Sequence, residues 1–412
     1  MTLAWLSVGV LALAVTLSCT TTINVGVLSM ALALLVGVGA GGMSTARVLD
    51  GFPTDLFVTL IGVTLLFAIA EVNGTLERLT ARAVRLCRGH AGLLPFMFFG
   101  IGLLIATIGA GATPASALLA PPAMAVAARA GVPPLLMAIM AGNGALAGTL
   151  SPFAPTGLVA DGVMARIGLG GYEWQTYAYN ALAHATVGIG GFLLFGGWTL
   201  FGSGRAARVE QRVEPFERRH WLTAGGIAAL IVSVAGFGVN VGMAALIIVS
   251  TLVLLRTVNE SQAIARMPWS VILMVSGVSV LIAMMQEAKG LDLVTAGLAR
   301  VSTPGTVAPV VAFGAGIISV YSSTSGVVLP AFLPMVPDLT TRVGGGLDPL
   351  HVAWAMNVGA SLVDLSSLST VGALFMAGMA PGTDTRRLFN QLLAWGFAMS
   401  IVGALIAWVM FA

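Results

Sequence analysis

The chain predicts an all-α polytopic membrane protein: two inverted repeats of about five transmembrane helices, each with a re-entrant helical hairpin and a broken helix. Three observations predict it. The 412 residues are 58% hydrophobic and only 8% charged, with a mean hydropathy of +0.98, against roughly 25% charged residues in a soluble domain. Two apolar stretches, 107–124 (TIGAGATPASALLAPPAM) and 318–335 (ISVYSSTSGVVLPAFLPM), are interrupted by glycine, proline and small hydroxyl residues. Broken backbone at membrane depth is tolerated only where it is buried in protein or lines a cavity. Two such segments in matching places point to a binding site between two halves, as in secondary transporters. The third observation is an internal duplication, taken up below.

In chain order, residues 3–17 come first and could pass for a signal-peptide core. No Lys or Arg precedes Arg47, so the basic n-region is missing and a retained first span is expected. The Thr-rich step at 19–22 turns into a second span, 23–41. Beyond a polar loop holding Arg47, Asp50 and Asp55, residues 56–70 make the third, ending at Glu71. Residues 75–90 (TLERLTARAVRLCRGH) place Leu76, Leu79, Ala83 and Leu86 on one helical face and Arg78, Arg82 and Arg85 on the other. That pattern suits a helix lying in the membrane interface, with a solvated helix as the alternative. Residues 92–108 and 114–128 follow as the two arms of a hairpin, 92–128, around the tip GAGAT. Residues 135–148 run into 150–157 (LSPFAPTG), whose prolines interrupt a helix. Residues 177–201 close the first half.

The polar segment 202–220 reads as a linker between a first repeat, 1–201, and a second, 221–412, whose hairpin is 305–340. Asn24-Val25-Gly26 recurs as Asn240-Val241-Gly242, and Glu71 with Gly74 as Glu287 with Gly290, each at an offset of 216. Pro53 recurs as Pro268, Arg85 as Arg300 and Gly157 as Gly372 at 215, Asn143 as Asn357 at 214, and Thr113 and Met124 as Thr324 and Met335 at 211. A nearly constant offset is the signature of duplication. An odd number of crossings per half inverts the repeats and puts loops 71–91, 129–133, 202–220, 256–267 and 381–388 on one side. These hold fourteen of the nineteen basic residues, so the positive-inside rule predicts a cytoplasmic linker and external termini. Prolines 114, 121 and 122 in one hairpin and 330 and 334 in the other favour short, re-entrant arms.

Other classes fit less well. A net charge of +3, scattered along the chain, gives no footprint for nucleic acid. Cys19 and Cys87 make neither a disulfide framework nor a metal motif. There is no HExxH metal motif, and His184 has no motif-like serine partner such as a hydrolase needs. No enzyme is expected. A channel would not need paired broken hairpins.

The order of three spans, interfacial helix, hairpin, broken helix and last span, repeated in inverted form, resembles the divalent anion/sodium symporter fold of the ion-transporter superfamily. The first half, closest over residues 51–168, resembles the dicarboxylate carriers of the MatC (malonate carrier) type. The resemblance implies an elevator-type carrier of small dicarboxylates such as malonate or succinate. It also implies Na⁺ or H⁺ coupling, no cofactor beyond a coupling Na⁺, a homodimer and a place in the inner or plasma membrane. The family has Ser-Asn-Thr at each hairpin tip and a Thr-Pro-rich break in each broken helix. Here Ser322-Ser323-Thr324 stands at the second tip, while Gly111-Ala112-Thr113 at the first keeps only the threonine. The breaks read Ser151-Pro152-Phe153-Ala154-Pro155-Thr156 and Ser366-Ser367-Leu368-Ser369-Thr370.

No Lys or Arg lies in either tip or break, so a dianion must be held by hairpin and half-helix N-termini, through free N–H groups and the helix dipole. Thr113, Ser151, Thr156, Ser323, Thr324, Ser369 and Thr370 are the candidate substrate hydroxyls. Gly111, Asn143, Ser322, Asn357 and Asp364 are the candidate cation-coupling positions, with unwound carbonyls, at Gly109 to Gly111 in particular, as further ligands. The plainer alternative is that these hydroxyls satisfy their own helices. Asp364 is an intramembrane carboxylate, costly and usually functional, able to hold a cation or a proton. His184 titrates near neutrality in water but is expected to pack through hydrogen bonds, and Glu71 and Glu287 to end spans at opposite interfaces. A proton-coupled or exchange carrier of citrate, tartrate or another anion is the rival within transporters.

Overall fold

The computed structural model describes residues 2–21, 23–85, 88–202, 206–208, 214–379 and 384–412; Cys87 lies outside them. The first half opens with α1 (Thr2–Thr20) and α2 (Val25–Leu34), which starts where the Asn24 side chain accepts from the N–H groups of Gly26 and Val27. Asparagine satisfies otherwise orphaned donors in this way. α2 widens into a π turn, Leu35–Ala40, and α3 (Thr45–Leu49) is capped by Ser44. α4 (Thr54–Val72), α5 (Thr75–Arg85) and a three-residue strand β1 (Arg88–His90) follow. The hairpin is α6 (Leu94–Ile105), a π turn Ala106–Ala110 and α7 (Ala112–Ala130); the broken helix is α8 (Pro134–Ala147) and α9 (Pro155–Arg166). α10 (Glu173–Leu194) closes the half.

The second half repeats the plan after β2 (Ala206–Arg208). It runs α11 (Arg218–Phe237), α12 (Val241–Leu254), α13 (Glu260–Arg266), α14 (Trp269–Glu287) and α15 (Gly290–Arg300). α16 (Val307–Tyr321) is the first arm of its hairpin. The second arm comes in pieces: a π turn Thr324–Val328, α17 (Leu329–Phe332), a 3-10 turn Leu333–Met335 and α18 (Val336–Val343). The broken helix is α19 (Pro349–Leu362) and α20 (Thr370–Ala377), and α21 (Thr385–Phe411) ends the fold. Asn240 caps α12 through the Met243 N–H at 3.0 Å, as Asn24 caps α2.

α4, α11, α14 and α21 are each long and apolar enough to cross a membrane, and shorter apolar helices lie beside them. The packing is reciprocal. α2 lies against α14 and α12 against α4; α6 packs on α8 and α16 on α19; α10 packs on α8 and α21 on α19. Backbones touch where glycines meet: a Cβ on Gly277 would lie 1.9 Å from the Gly26 carbonyl oxygen, and one on Gly62 2.9 Å from that of Gly242. Small residues allow this approach between membrane helices. α8 is buried along residues 135–147 and α19 along 352–362, so both form the inner core.

The structure departs from the sequence reading in three places. The fold is all-helical except for the β1–β2 pair, antiparallel with Arg88 opposite Arg208. Prolines 121 and 122 do not break the first hairpin, because α7 is one helix of 19 residues. At about 1.5 Å per residue it is about 28 Å long, close to the ~30 Å hydrocarbon core; the expected short arm is absent there. Of the α5 face read from leucines, Leu76 is buried, Leu79 and Ala83 are half-buried and Leu86 lies outside the described residues, while burial continues through Thr80, Ala81 and Val84. The reason is residues 214–220, which cover two of its arginines: Arg78 pairs with Glu214, and Arg82 stacks 3.9 Å over the Phe216 ring, while Arg85 is exposed. Glu287, by contrast, ends α14 as expected, and there pairs with Arg47 at 2.8 Å on the surface.

Candidate functional site

Each hairpin tip meets a helix break. In the second half Ser319 ends the buried stripe of α16 that runs through Ala312, Ala315 and Gly316. Its hydroxyl makes a short bond to Thr324 Oγ1, which lies 2.7 Å from Asp364 Oδ1 and 3.2 Å from the Ala360 carbonyl. Ser319 Oγ itself is 3.5 Å from Oδ1. With an ionised carboxylate the order is Ser319 to Thr324 to Asp364, each hydroxyl donating once. From the opposite side Ser369 donates to the backbone carbonyls of Asp364 and, at 2.8 Å, of Ser366. No donor among the described residues reaches Asp364 Oδ2. Sequence reasoning missed Ser319; the signal was its i, i+3, i+7 spacing from Ala312 and Ala315.

The remaining candidates here divide. Ser323 accepts from the Gly326 N–H at 3.0 Å and Ser369 from the Gly372 N–H at 3.3 Å, so each caps a local turn. Ser322 Oγ and Ser367 Oγ are buried and have no partner among the described residues. Thr370 is exposed.

The first half is built differently at its tip. Gly109 (φ 119°) and Gly111 (φ 79°) carry the turn, a region side chains avoid. A Cβ at Gly109 would lie 2.2 Å from the Phe67 ring. Ser151 donates to the Thr107 carbonyl at 2.7 Å, joining break to tip, and Thr107 Oγ1 lies 3.0 Å from Tyr177 Oη. Thr156 is half-buried, whereas Thr113 is exposed and not brought into any cluster. The breaks themselves match: a Cβ on Gly157 would meet the Ser151 carbonyl at 2.0 Å, and one on Gly372 the Ser366 carbonyl at 2.0 Å.

Asn143 and Asn357 are buried in the core, and the partners they have among the described residues belong to neither tip. Asn143 donates to the Ile139 carbonyl at 2.8 Å and accepts from His184 Nδ1 at 2.8 Å. His184 Nε2 faces Ser361 Oγ at 3.3 Å, and Ser361 donates to Asn180 Oδ1 at 2.6 Å. This buried network joins α8, α10 and α19, in keeping with the packing role expected of His184. Asn357 Oδ1 has no partner among the described residues, and its Nδ2 lies 3.5 Å from Met164 Sδ.

A cleft of about 990 Å³ opens between the α3–α4 turn, α9, the start of α10, the α11–α12 turn and α14, and reaches Pro330 and Pro334 of the second hairpin. None of the candidate hydroxyls lines it. The tips and breaks carry the convergent polar groups, so they rather than the cleft are the candidate site.

Residues 1–149 match the family described as dicarboxylate carrier protein MatC N-terminus. Over these residues the chain matches the MatC carriers. The MatC match takes in the first hairpin and α8; the first break, the linker and the Asp364 cluster lie beyond it. No curated protein matches the chain. Among solved structures, the Alcanivorax borkumensis YdaH transporter superposes with a TM-score of 0.62 at 16% identity, over 99% of this chain and 97% of that one. MtrF of Neisseria gonorrhoeae, one of a class of antimetabolite efflux pumps, superposes with a TM-score of 0.55 at 13% identity, over 92% and 84%. These two likenesses are of fold alone; the match that bears on role is the one to the dicarboxylate-carrier family over residues 1–149.

Proposed function

We propose that the chain is a cation-coupled secondary carrier of small dicarboxylates, built of two inverted repeats and working by an elevator form of alternating access. The observation that carries this reading is the Ser319–Thr324–Asp364 cluster, where a hairpin tip and a helix break bring hydroxyls to a carboxylate with one oxygen left over. That oxygen takes the coupling cation or proton. Two unit charges about 6 Å apart at an effective dielectric of 20 interact by about 3 kcal/mol. A bare Asp364 therefore repels a dianion at the neighbouring helix N-termini, and a neutralised one does not. This difference is the coupling free energy that binds ion and substrate together. The family's malonate and succinate are the first substrates to test.

The inverted-repeat reading draws support from the paired caps of α2 and α12 and the reciprocal packing of α2 on α14 and α12 on α4. With the positive-inside rule it puts the linker in the cytoplasm and both termini outside. A single cysteine at Glu214, in a cysteine-free background, should stay unlabelled by an impermeant reagent in intact cells, while one at Ala412 reacts. The opposite pattern would sink this topology.

Uptake into proteoliposomes tests the function: saturable entry of a three- or four-carbon dicarboxylate is expected, driven by a Na⁺ or H⁺ gradient. Lack of saturation for every dicarboxylate under both gradients would refute it. Thr324→Ala should weaken substrate affinity by about 1–3 kcal/mol, the cost of leaving buried partners unmet, with the amount of folded protein unchanged. Unaltered affinity would place the site elsewhere.

A further inference from the structure

The 990 Å³ cleft has a charge balance the carrier reading does not use. Its lining holds four carboxylates, Asp50, Asp55, Asp161 and Glu173, and one guanidinium, Arg166. The walls contributed by α14, the α11–α12 turn and the second hairpin carry no charge. A cleft whose lining is net negative concentrates cations. The independent observation is Asp161 Oδ2, which is buried yet has no hydrogen-bond donor among the described residues. Arg166, five residues further along the same helix, does not pair with it; its guanidinium is directed across the cleft to Ser279 Oγ of α14 at 3.2 Å. A carboxylate oxygen out of water without a donor is a costly arrangement unless something supplies the missing positive charge. The like charge of Glu173 nearby raises that demand.

We infer that Asp161, with Glu173 beside it, is a second cation-binding site, separate from the Asp364 cluster and taking a monovalent cation, either a proton or an alkali ion. A divalent ion is disfavoured because the described residues contain no group of three or more acidic, histidine or cysteine side chains able to hold one, and such ions need several carboxylates. A monovalent ion needs less, one carboxylate completed by neutral oxygens. The site stands whatever the transported substrate is, because its occupancy is read without one.

The test uses the purified full chain in the Asp364→Asn background, so that the other carboxylate contributes nothing. The melting temperature is followed against NaCl, with choline chloride holding ionic strength, and then against pH in choline alone. A site for Na⁺ gives a rise with Na⁺; a proton site gives a rise with falling pH across the titration of the pair. Adding Asp161→Asn should flatten whichever response is seen, and adding Glu173→Gln instead should shift its midpoint several-fold in cation concentration. A melting temperature that responds identically with and without Asp161 overturns the inference. So does the absence of any response to either cation in the parent background.

Discussion

Asp364→Asn should abolish or greatly weaken the ion dependence of uptake, with the folded protein retained. The amide is nearly the same size and can still accept from Thr324 at the oxygen now bonded at 2.7 Å. What it loses is the negative charge and the oxygen to which no described donor points, the two properties a cation or proton needs. Asn143→Ala should leave coupling largely in place, since Asn143 is occupied by Ile139 and His184 in the core. Uptake against Na⁺ at fixed pH, and against pH without Na⁺, separates a sodium site from a protonation site. Unchanged ion dependence in Asp364→Asn would mean that the carboxylate is structural and that coupling rests on backbone carbonyls.

The second large effect is on folding. Gly277→Leu and Gly26→Leu should each prevent recovery of monodisperse protein. Their first side-chain carbon would lie 1.9 Å from the Gly26 carbonyl oxygen and 2.0 Å from the Leu273 carbonyl oxygen respectively. Overpacking against side chains costs about 1–3 kcal/mol, and here the obstacle is backbone, which cannot rotate away. Gly225→Leu in α11 is the control, because nothing lies within 4 Å of a Cβ there. Size-exclusion profiles and melting temperatures of the three variants decide; native-like Gly277→Leu would refute the close crossing of α2 and α14.

The features legible in the sequence are those where composition carries geometry. Glycines at 109 and 111 and hydroxyls at 323, 324 and 369 marked the tips and breaks because backbone must turn and donors must be met at such places. Asn24 and Asn240 marked the duplication, and the structure shows that both are helix caps. What stayed hidden depends on contacts distant in the chain. The rotation of α5 follows from Glu214 and Phe216, more than a hundred residues away. Ser319 sits on an otherwise apolar stripe, and its meaning appears only when Asp364 is brought 45 residues back to it. Pro121 and Pro122 misled because a proline pair reads as a break, whereas α7 runs straight through both. Asp161 lies midway along α9, Asp50 at the end of α3 and Glu173 at the start of α10, and they become one cleft only in three dimensions.

The enclosure of α8 and α19 bears on how the chain enters the membrane. Each has 14 residues, or about 21 Å of helix, against a hydrocarbon core of about 30 Å. Neither can span alone, and each joins its half-helix partner through a break whose backbone turns on local hydrogen bonds and is largely buried in the fold. During synthesis α8 and α10 leave the ribosome long before α19, so Asn143, Asn180 and His184 wait among lipid without Ser361, their partner across the halves. The first half is thus an unfinished object while the second is being made, and maturation belongs to the whole chain rather than to either repeat.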